Sequence, residues 1–406
     1  MLCEPEEVGL SHQRLEVLKT AISSYLSEDK FSGMTTLIYK NGKIPHFHCY
    51  GYQDRESQTA ITTDTLFRIY SMTKPVTAVA LMMLFEEGKF ILDDPLSDYI
   101  PAFSNLKVYA GLAAGKPRLA GLERPVTIRD LFQHTAGFGY GLFEDSPVEA
   151  LYRDQNLFSP SLTLAAPLET LVEKVAELPL VHQPGSQWRY SIATDIMGHL
   201  VAVLADQPFD EFLKQRLFQP LAMDDTSFAV PREKSHRLAT LYGLGPAGSS
   251  IAIDDAQSSA FLQENHLPGK WGPSGGGGLV SSSLDYLRFA RMLLNKGTLD
   301  GVRILSKASC ELMTQNHLSQ RHLPYSVGPI VQAGSGWGLG ISVMQDSAQA
   351  GLLGPNGTYG WGGAAGTFFW VDPINDLIAI IMPQYLFFQE PHRLKFRNLV
   401  YQSLID

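Results

Sequence analysis

The sequence predicts an α+β fold in which an antiparallel sheet is flanked by helices from both ends of the chain. Three observations lead to this prediction: a helix followed directly by a strand hairpin near the N-terminus, a long middle stretch with few strand signals, and a return of strand patterns in the last third. Helices and strands do not alternate as they would in a parallel sheet. The 406 residues suffice for two domains. We expect a discontinuous sheet domain over 1–90 and 280–406, a mainly helical domain over 91–279, and a cleft between them.

The N-terminal part is predicted to form a helix and a strand hairpin. Apolar residues recur on one face of an amphipathic helix over 11–28. Two strand-like runs follow, Met34–Tyr39 and Ile44–Tyr50, and the Asn41-Gly42 pair between them is typical of a tight hairpin turn. Because proline cannot donate a ladder hydrogen bond, Pro45 favours an edge strand or the start of a strand.

The middle stretch is read as short helices separated by proline and glycine. We predict helices that begin near Thr127 and Pro167, a longer helix from about Ile192 to Leu204, and a further helix over Phe209–Leu217. A glycine-rich break then precedes a helix that Ser283 caps and that runs through Leu294.

Strand character returns in the tail of the chain. The strand predictions rest on the alternating residues Leu339, Ile341 and Val343 and on the apolar runs Thr367–Val371 and Leu377–Met382. An amphipathic helix over 390–404 closes the chain. We expect these strands and the N-terminal hairpin to share one sheet, between the terminal helices.

Composition and charge exclude several classes of protein. With 45% hydrophobic and 18% charged residues, the chain has no signature of disorder. A net charge of −9 argues against nucleic-acid or anionic-membrane partners. The first residues lack the apolar core of a signal peptide, and no apolar run is long enough to span a bilayer. Three sparse cysteines, Cys3, Cys49 and Cys310, indicate reduced thiols, so we expect a cytoplasmic protein.

No cofactor is predicted from the sequence. His46 and His48 share one face of a strand, but no third ligand stands at metal spacing. No glycine-rich phosphate loop follows a predicted strand. We therefore expect neither a metal site nor a bound nucleotide.

The stretch Ser71-Met72-Thr73-Lys74 is the strongest candidate for chemistry. It opens a long apolar helix, where residues three apart lie on one face and the lysine amine can reach the serine oxygen. The first amides of a helix have no internal acceptor, so the Ser71 N–H can point at an anion. Pro75 falls in the first turn, where a missing N–H costs little. A Ser-x-x-Lys pattern alone is nevertheless common on surface helices.

Three further constellations are candidates. Tyr190 stands on a turn before a helix, where its side chain can point into a cleft. The run Gly360–Gly366 precedes a strand, and its small residues would let a substrate lie against the backbone. Ser274 formally matches the Gly-x-Ser-x-Gly nucleophile elbow, but no strand precedes it as that elbow requires. The alternative for Tyr190 is a core tyrosine, and the alternative for Gly360–Gly366 is a plain glycine-rich turn.

Together, Ser71-Met-Thr-Lys74, Tyr190-Ser-Ile192 and Trp361-Gly-Gly363 resemble, in order and rough spacing, the three motifs of the serine β-lactamase and penicillin-binding protein superfamily. The chain is most similar to the family VIII carboxylesterases, which are themselves similar to class C β-lactamases. The resemblance covers most of the chain. It implies a β-lactamase-like antiparallel sheet with an inserted helical domain and the active site in the cleft.

The resemblance also implies a role for each motif. Ser71 would attack a carbonyl and become acylated, and Lys74 and Tyr190 together would remove its proton. The backbone N–H groups of Ser71 and Ala364 would hold the oxyanion. The chemistry is coherent because an ammonium beside a phenol favours the phenolate, while burial disfavours the ammonium. Which of the two is the base is left open by the sequence.

Two departures from the β-lactamase pattern favour an ester as substrate. Ile192 stands where the pattern has asparagine, and Trp361 stands where it has lysine. Without that amide and that cation, the site suits neutral acyl groups, so a small-molecule ester is the expected partner. A β-lactamase or D-Ala-D-Ala peptidase, an acyltransferase, and a non-catalytic relative on the same scaffold are the alternatives.

The substrate pocket is predicted less directly. Trp361, Gly362, Gly363 and Ile192 belong to the motifs themselves. The aromatic residues of 138–165, which include Phe138 and Tyr140, either wall the pocket or form the core of the helical domain.

Overall fold

The computed structural model describes residues 2–27, 31–113, 116–143, 145–255, 259–266, 269–387 and 391–405. Its α-helices are, in chain order, α1 (His12–Ser27), α2 (Thr73–Glu86), α3 (Ile128–Gln133), α4 (Pro147–Asp154), α5 (Leu168–Ala176), α6 (Ala193–Ala205), α7 (Phe209–Leu213), α8 (Ser283–Leu294), α9 (Lys307–Met313), α10 (Ser347–Ala350) and α11 (His392–Tyr401). A π-helical turn, Lys214–Phe218, continues α7.

The strands are β1 (Gly33–Lys40), β2 (Lys43–Asp54), β3 (Thr59–Ala60), β4 (Phe67–Arg68), β5 (Val108–Ala113), β6 (Lys116–Ala120), β7 (Leu241–Leu244), β8 (Ser250–Asp254), β9 (Val280–Ser281), β10 (Thr298–Leu299), β11 (Val302–Arg303), β12 (Tyr325–Val327), β13 (Ile330–Gln332), β14 (Ser335–Trp337), β15 (Ser342–Met344), β16 (Tyr359–Gly362), β17 (Phe368–Asp372) and β18 (Leu377–Pro383).

One antiparallel sheet joins the two ends of the chain. Within the described residues it has eight strands in the order β14-β15-β16-β17-β18-β1-β2-β3. Strand β1 pairs with β18, so that Leu37 lies opposite Ile380 and Ile38 lies opposite Ala379. The prediction that the N-terminal hairpin and the C-terminal strands share one sheet is confirmed.

Both faces of the central strands are covered by helices. Ile38 and Ile381 belong to a hydrophobic cluster with residues of α1 and α11. The alternate residues Leu37 and Ile380 belong to the larger core, which contains residues of α2 and α8. Because successive side chains of a strand point to opposite faces, burial of both faces explains the continuous apolar runs seen in the sequence.

The N-terminal hairpin forms as its turn chemistry predicts. Asn41 and Gly42 both have positive φ values, 48° and 83°, as a tight turn that follows the twist of the strands requires. Pro45 lies in β2, whose outer edge pairs with β3 only at its far end, through Tyr52 and Asp54. Of the two expected positions, the start of a strand is confirmed, because Pro45 is near the beginning of β2.

Helix α2 is buried along most of its length. Its residues from Thr73 to Leu84 are all buried, which explains why its apolar residues do not form one stripe. Helix α2 packs against α6, so the middle part of the chain lies beside the start of α2. One hydrophobic core contains residues from both parts, such as Leu37 of β1 and Leu200 of α6. The division into two domains stays a prediction.

Three predictions of secondary structure were wrong in detail. The middle stretch contains two hairpins, β5–β6 and β7–β8, whose short strands carry glycine and exposed apolar residues and so lack a clear alternation. Ser282, not Ser283, caps α8, because its side chain accepts a hydrogen bond from the Asp285 N–H. Leu339 and Ile341 lie in the turn between β14 and β15, where Gly340 has φ 82°. Both side chains are buried on either side of Gly340, which gives the apolar alternation of a strand although the backbone forms a turn.

None of the helices in the described ranges is long and apolar enough to cross a lipid bilayer.

Candidate active site

Ser71 lies in a tight turn, Tyr70–Met72, that leads directly into α2. The residue before it, Tyr70, has φ 43°, a left-handed conformation that costs free energy for a residue with a bulky side chain. Tyr70 is held there by burial, by an edge-on contact with Phe261 and by a 3.0 Å hydrogen bond from its hydroxyl to the Ser161 carbonyl. The strained turn presents the Ser71 side chain at the start of the helix.

Lys74 contacts Ser71 as the spacing predicts. Its Nζ donates hydrogen bonds to Ser71 Oγ at 3.2 Å and to the Gly276 carbonyl at 2.7 Å. The Lys74 side chain is completely buried. Besides these two polar contacts, the buried Nζ has aromatic neighbours.

Two tyrosine rings face the Lys74 ammonium. Nζ lies 4.6 Å from the ring centroid of Tyr190 and 5.5 Å from that of Tyr140, both within the range of a cation–π attraction. The Tyr190 hydroxyl accepts a 3.1 Å hydrogen bond from the Trp361 indole N–H. The structure thus brings Ser71, Lys74, Tyr190 and Trp361 together from three distant parts of the sequence.

The Tyr190 ring is fixed by an aromatic cluster. Ring contacts join it to His134, Tyr140, Phe143, Trp188 and Trp361, with centroid separations of 5.0 to 6.1 Å. Such packing restricts the ring to one orientation. Burial, with a smaller contribution from the Lys74 charge, holds the pKa of His134 well below its usual value, so this imidazole is neutral.

The glycine-rich strand edge lies directly against the Ser71 turn. A Cβ on Gly363 would come within 2.2 Å of the Ile69 carbonyl oxygen, so only glycine allows this approach. The Thr367 hydroxyl donates to the same carbonyl at 3.3 Å. In the described part of the chain, the N–H groups of Ser71 and Ala364 have no hydrogen-bond acceptor. Both are therefore available to bind an oxyanion.

The start of α11 supports this strand edge from behind. The Arg393 guanidinium donates to the carbonyl oxygens of Gly363 and Gly366, and His392 Nε2 is 2.9 Å from the Gly366 carbonyl oxygen. The Gly363 carbonyl and the Ala364 N–H belong to one peptide group. A cation bound to that carbonyl holds the peptide in place and strengthens its N–H as a donor.

The other residues predicted to line the substrate pocket have different surroundings. Gly362 continues β16 beside Trp361 and pairs with Phe368. Phe138 and Ile192 are completely buried, and Phe138 packs against Phe103, which favours the core role for these two side chains. Tyr140 contacts Lys74, a role that the sequence analysis missed because nothing in the local sequence indicates it. Their part in substrate binding stays a prediction.

Ser274 does not form a nucleophile elbow. Its hydroxyl donates to Asp195 Oδ1 at 2.6 Å, and a glycine turn rather than a helix follows it. Sequence reasoning also missed Asp195, which lies on α6 and is completely buried.

Of the two strand histidines, His46 has a structural role. His46 is buried and its Nε2 is 2.7 Å from the Thr36 hydroxyl, and burial lowers its pKa to about 3. Across the described ranges, no three His, Cys, Asp or Glu side chains converge as metal ligands would.

Comparison with known proteins decides the family. The family model described as Beta-lactamase matches residues 18–402. The chain belongs to the Beta-lactamase family. Membership makes it a serine hydrolase of the β-lactamase fold, as the three motifs predict.

Relatives of this β-lactamase-family chain include proteins of several kinds. It is 36% identical to Protein Rv1367c of Mycobacterium tuberculosis over 359 residues, 87% of this chain and 86% of the relative. It is 30% identical to Esterase EstB of Burkholderia gladioli over 405 residues, 95% of this chain and 94% of the relative. Among solved structures, EstCE1, described as a hydrolase with promiscuous acyltransferase activity, is 28% identical. It superposes with a TM-score of 0.78 over 96% of this chain and 99% of EstCE1.

Proposed function

We propose that this protein is a serine carboxylesterase that hydrolyses esters of small or medium acyl groups through an acyl-enzyme on Ser71. The observation that carries the proposal is the position of Lys74 Nζ, which is 3.2 Å from Ser71 Oγ and lies over the face of Tyr190. A serine whose hydroxyl contacts a buried amine, with a fixed phenol on the other side of that amine, has the partners of an activated nucleophile.

The proposed reaction follows from these positions. Lys74 and Tyr190 take the hydroxyl proton of Ser71 as Oγ bonds to the ester carbonyl carbon. The N–H groups of Ser71 and Ala364 bind the oxyanion. Tyr190 returns the proton to the departing alcohol, which leaves the acyl group on Ser71. The same base then takes a proton from water, which attacks the acyl group and releases the carboxylic acid.

The residues around Tyr190 favour a neutral substrate. Trp361, at the position where the β-lactamase pattern has lysine, contributes an indole that donates to Tyr190 instead of a free cation. Ile192, at the position of the pattern's asparagine, is apolar and buried. Similarity to Esterase EstB supports the same substrate class.

Substrate comparison tests the proposal. We expect p-nitrophenyl butyrate to be hydrolysed far faster than nitrocefin or a D-Ala-D-Ala peptide, and Ser71→Ala to abolish the reaction. Intact-protein mass spectrometry after organophosphate treatment should show one adduct in the wild type and none in Ser71→Ala. A much higher rate on nitrocefin or on the peptide would contradict the esterase assignment and favour those substrates. An adduct that persists in the variant would redirect attention to Ser274.

Acyl transfer is a second candidate activity. It is supported by the likeness to EstCE1, whose description includes promiscuous acyltransferase activity. In acyl transfer, an added alcohol instead of water would take the acyl group from Ser71. Product analysis with increasing alcohol should then show a new ester formed at the expense of the free acid.

We also propose a cytoplasmic location, supported by the free thiols of Cys3, Cys49 and Cys310. Cell fractionation with an antibody to the native protein tests this; recovery in a secreted fraction would contradict it.

A further inference from the structure

Asp195 is a completely buried acid in the first turn of α6. Its Oδ1 accepts hydrogen bonds from the Ser274 hydroxyl at 2.6 Å and from the Gly276 N–H at 3.1 Å. Among the described residues, its Oδ2 has no hydrogen-bond partner. A buried carboxylate oxygen without a partner is costly and calls for an explanation beyond stability.

The glycine run after Ser274 is shaped around this acid. A Cβ on Gly276 would lie 2.5 Å from Asp195 Oδ2, and a Cβ on Gly275 would lie 2.6 Å from the Thr194 carbonyl oxygen. Side chains at these two positions would push the turn away from α6. Ser274 and Gly276 of the Gly-x-Ser-x-Gly pattern therefore contact Asp195, whereas Gly272 lies against the Ala166 carbonyl.

The same turn connects Asp195 to Lys74. Gly276 donates its N–H to Asp195 and accepts a 2.7 Å hydrogen bond from Lys74 Nζ on its carbonyl. Asp195 and Lys74 thus lie on two sides of one glycine. Burial raises the pKa of Asp195, and the nearby Lys74 charge acts in the opposite direction.

Four titratable groups face Lys74 in the described structure: His134, Tyr140, Tyr190 and Asp195. Burial lowers the pKa of His134, so it carries no charge, and raises the pKa of Tyr140 well above its usual value, so it stays a neutral phenol. Burial also raises the pKa of Asp195, but the Lys74 charge and the bonds from Ser274 and Gly276 oppose this. Asp195 is the one carboxylic acid among these four groups. Tyr190 is also faced by Arg393 and Tyr325.

We propose that Asp195 is the fixed counter-charge of Lys74 and sets the pH range over which Lys74 and Tyr190 accept the Ser71 proton. The inference rests on the proposed function. Asp195 is a positioning residue, because it acts through Gly276 and Lys74 and gains no proton itself. The proton moves only from Ser71 Oγ to the base. A negative charge close to an ammonium stabilises the protonated form of the amine.

The variant Asp195→Asn tests this through the pH profile of kcat/KM for p-nitrophenyl butyrate. Removal of the negative charge makes the lysine and tyrosine protons easier to lose. The rising limb on the acid side should therefore move to lower pH by about one unit or more. Asp372→Asn is the matched control, because Asp372 is also buried but binds Tyr401 and a turn of the sheet. It should leave the limb in place.

Ser274→Ala gives a second variant that keeps the acid. Loss of the Ser274 donor makes the carboxylate harder to ionise, so the limb should move in the same direction by a smaller amount. This variant replaces Asp195→Asn in the test if the latter does not fold. A limb that stays at its wild-type pH in the folded variants would overturn the proposal, because Asp195 then carries no charge in the active enzyme.

Failure of the proposed function is distinguishable from failure of this inference. If the wild type hydrolyses no ester, the rate of Ser71 labelling by an organophosphate still reports activation of the serine. That rate, measured against pH in the wild type and in Asp195→Asn, should show the same shift. Equal pH profiles for labelling would contradict the role of Asp195 independently of the substrate.

Discussion

Two completely buried cations flank the Ser71 turn, and they are bound in opposite ways. Arg68 of β4 donates to the Asp254 carboxylate, to the Ser259 hydroxyl at 2.8 Å and to a backbone carbonyl. Lys74 of α2 has a serine hydroxyl, one carbonyl and two aromatic faces. The arginine is neutralised by direct contact with an acid. Lys74 is connected to its proposed counter-charge, Asp195, only through Gly276.

We infer that this difference distinguishes a structural charge, Arg68, from a reactive one, Lys74. A guanidinium paired with a carboxylate keeps its proton under all ordinary conditions. An ammonium that is only partly satisfied can exchange a proton with the groups around it. Substitutions at the two positions should therefore affect different properties of the protein.

Lys74→Met should have the largest effect on activity. Loss of the amine removes the group that contacts Ser71 Oγ, and we expect ester hydrolysis to fall about 10³-fold, within the range for loss of a general base. The free energy of unfolding should fall less than in the Arg68→Met variant, because the polar contacts of Lys74 are a hydroxyl and a carbonyl rather than a carboxylate. Steady-state kinetics and urea unfolding measure both quantities. Activity within tenfold of the wild type would contradict a role for Lys74 in the chemistry.

Arg68→Met should show the opposite pattern. The substitution leaves the buried Asp254 carboxylate without its cation, which typically costs about 3–5 kcal/mol. We expect a large fall in urea midpoint with little change in kcat for the molecules that stay folded. Asp254→Asn should lower stability in the same way. If Arg68→Met abolished catalysis in a fully folded sample, the distinction between the two cations would be wrong.

The contrast also marks what the sequence could predict. Spacing along one helix places Lys74 beside Ser71, and apolar periodicity with turn residues predicts the sheet, its hairpin and the terminal helices. These features depend on neighbours in sequence. The contact of Lys74 with Gly276, the pairing of Arg68 with Asp254 and the position of Asp195 depend on how distant segments pack. The Tyr190 and Trp361 motifs were assigned to the site through family resemblance, since nothing local brings them together.

Arg393→Met should have an intermediate effect, confined to catalysis. Arg393 binds the carbonyl of the peptide that carries the Ala364 N–H, so its loss should weaken one oxyanion donor and lower kcat roughly 10- to 100-fold. KM should change little, because the donor acts mainly on the transition state.

Arg397→Met is the matched control for Arg393. Arg397 lies on the same helix and donates to the Leu353 carbonyl at 2.9 Å and the Thr358 hydroxyl at 2.8 Å, away from the oxyanion donors. It should lower stability without lowering kcat. Equal losses of kcat in the two variants would mean that α11 as a whole, and not the Gly363–Ala364 peptide, supports activity.

Trp361→Phe should have the smallest effect. The substitution keeps an aromatic ring in the cluster but removes the indole N–H that donates to the Tyr190 hydroxyl. A hydrogen bond to an oxygen that gains negative charge during the reaction is worth about 1–2 kcal/mol, so kcat should fall about tenfold.

Trp370→Phe is the matched control, because it removes an equivalent bond, from an indole N–H to the Tyr401 hydroxyl at 3.2 Å. Trp370 belongs to the cluster with α1 and α11, so its loss should reduce stability by about 1 kcal/mol and leave kcat unchanged. If both tryptophan variants lowered kcat equally, the Trp361 bond would serve the packing of the sheet and not the chemistry at Tyr190.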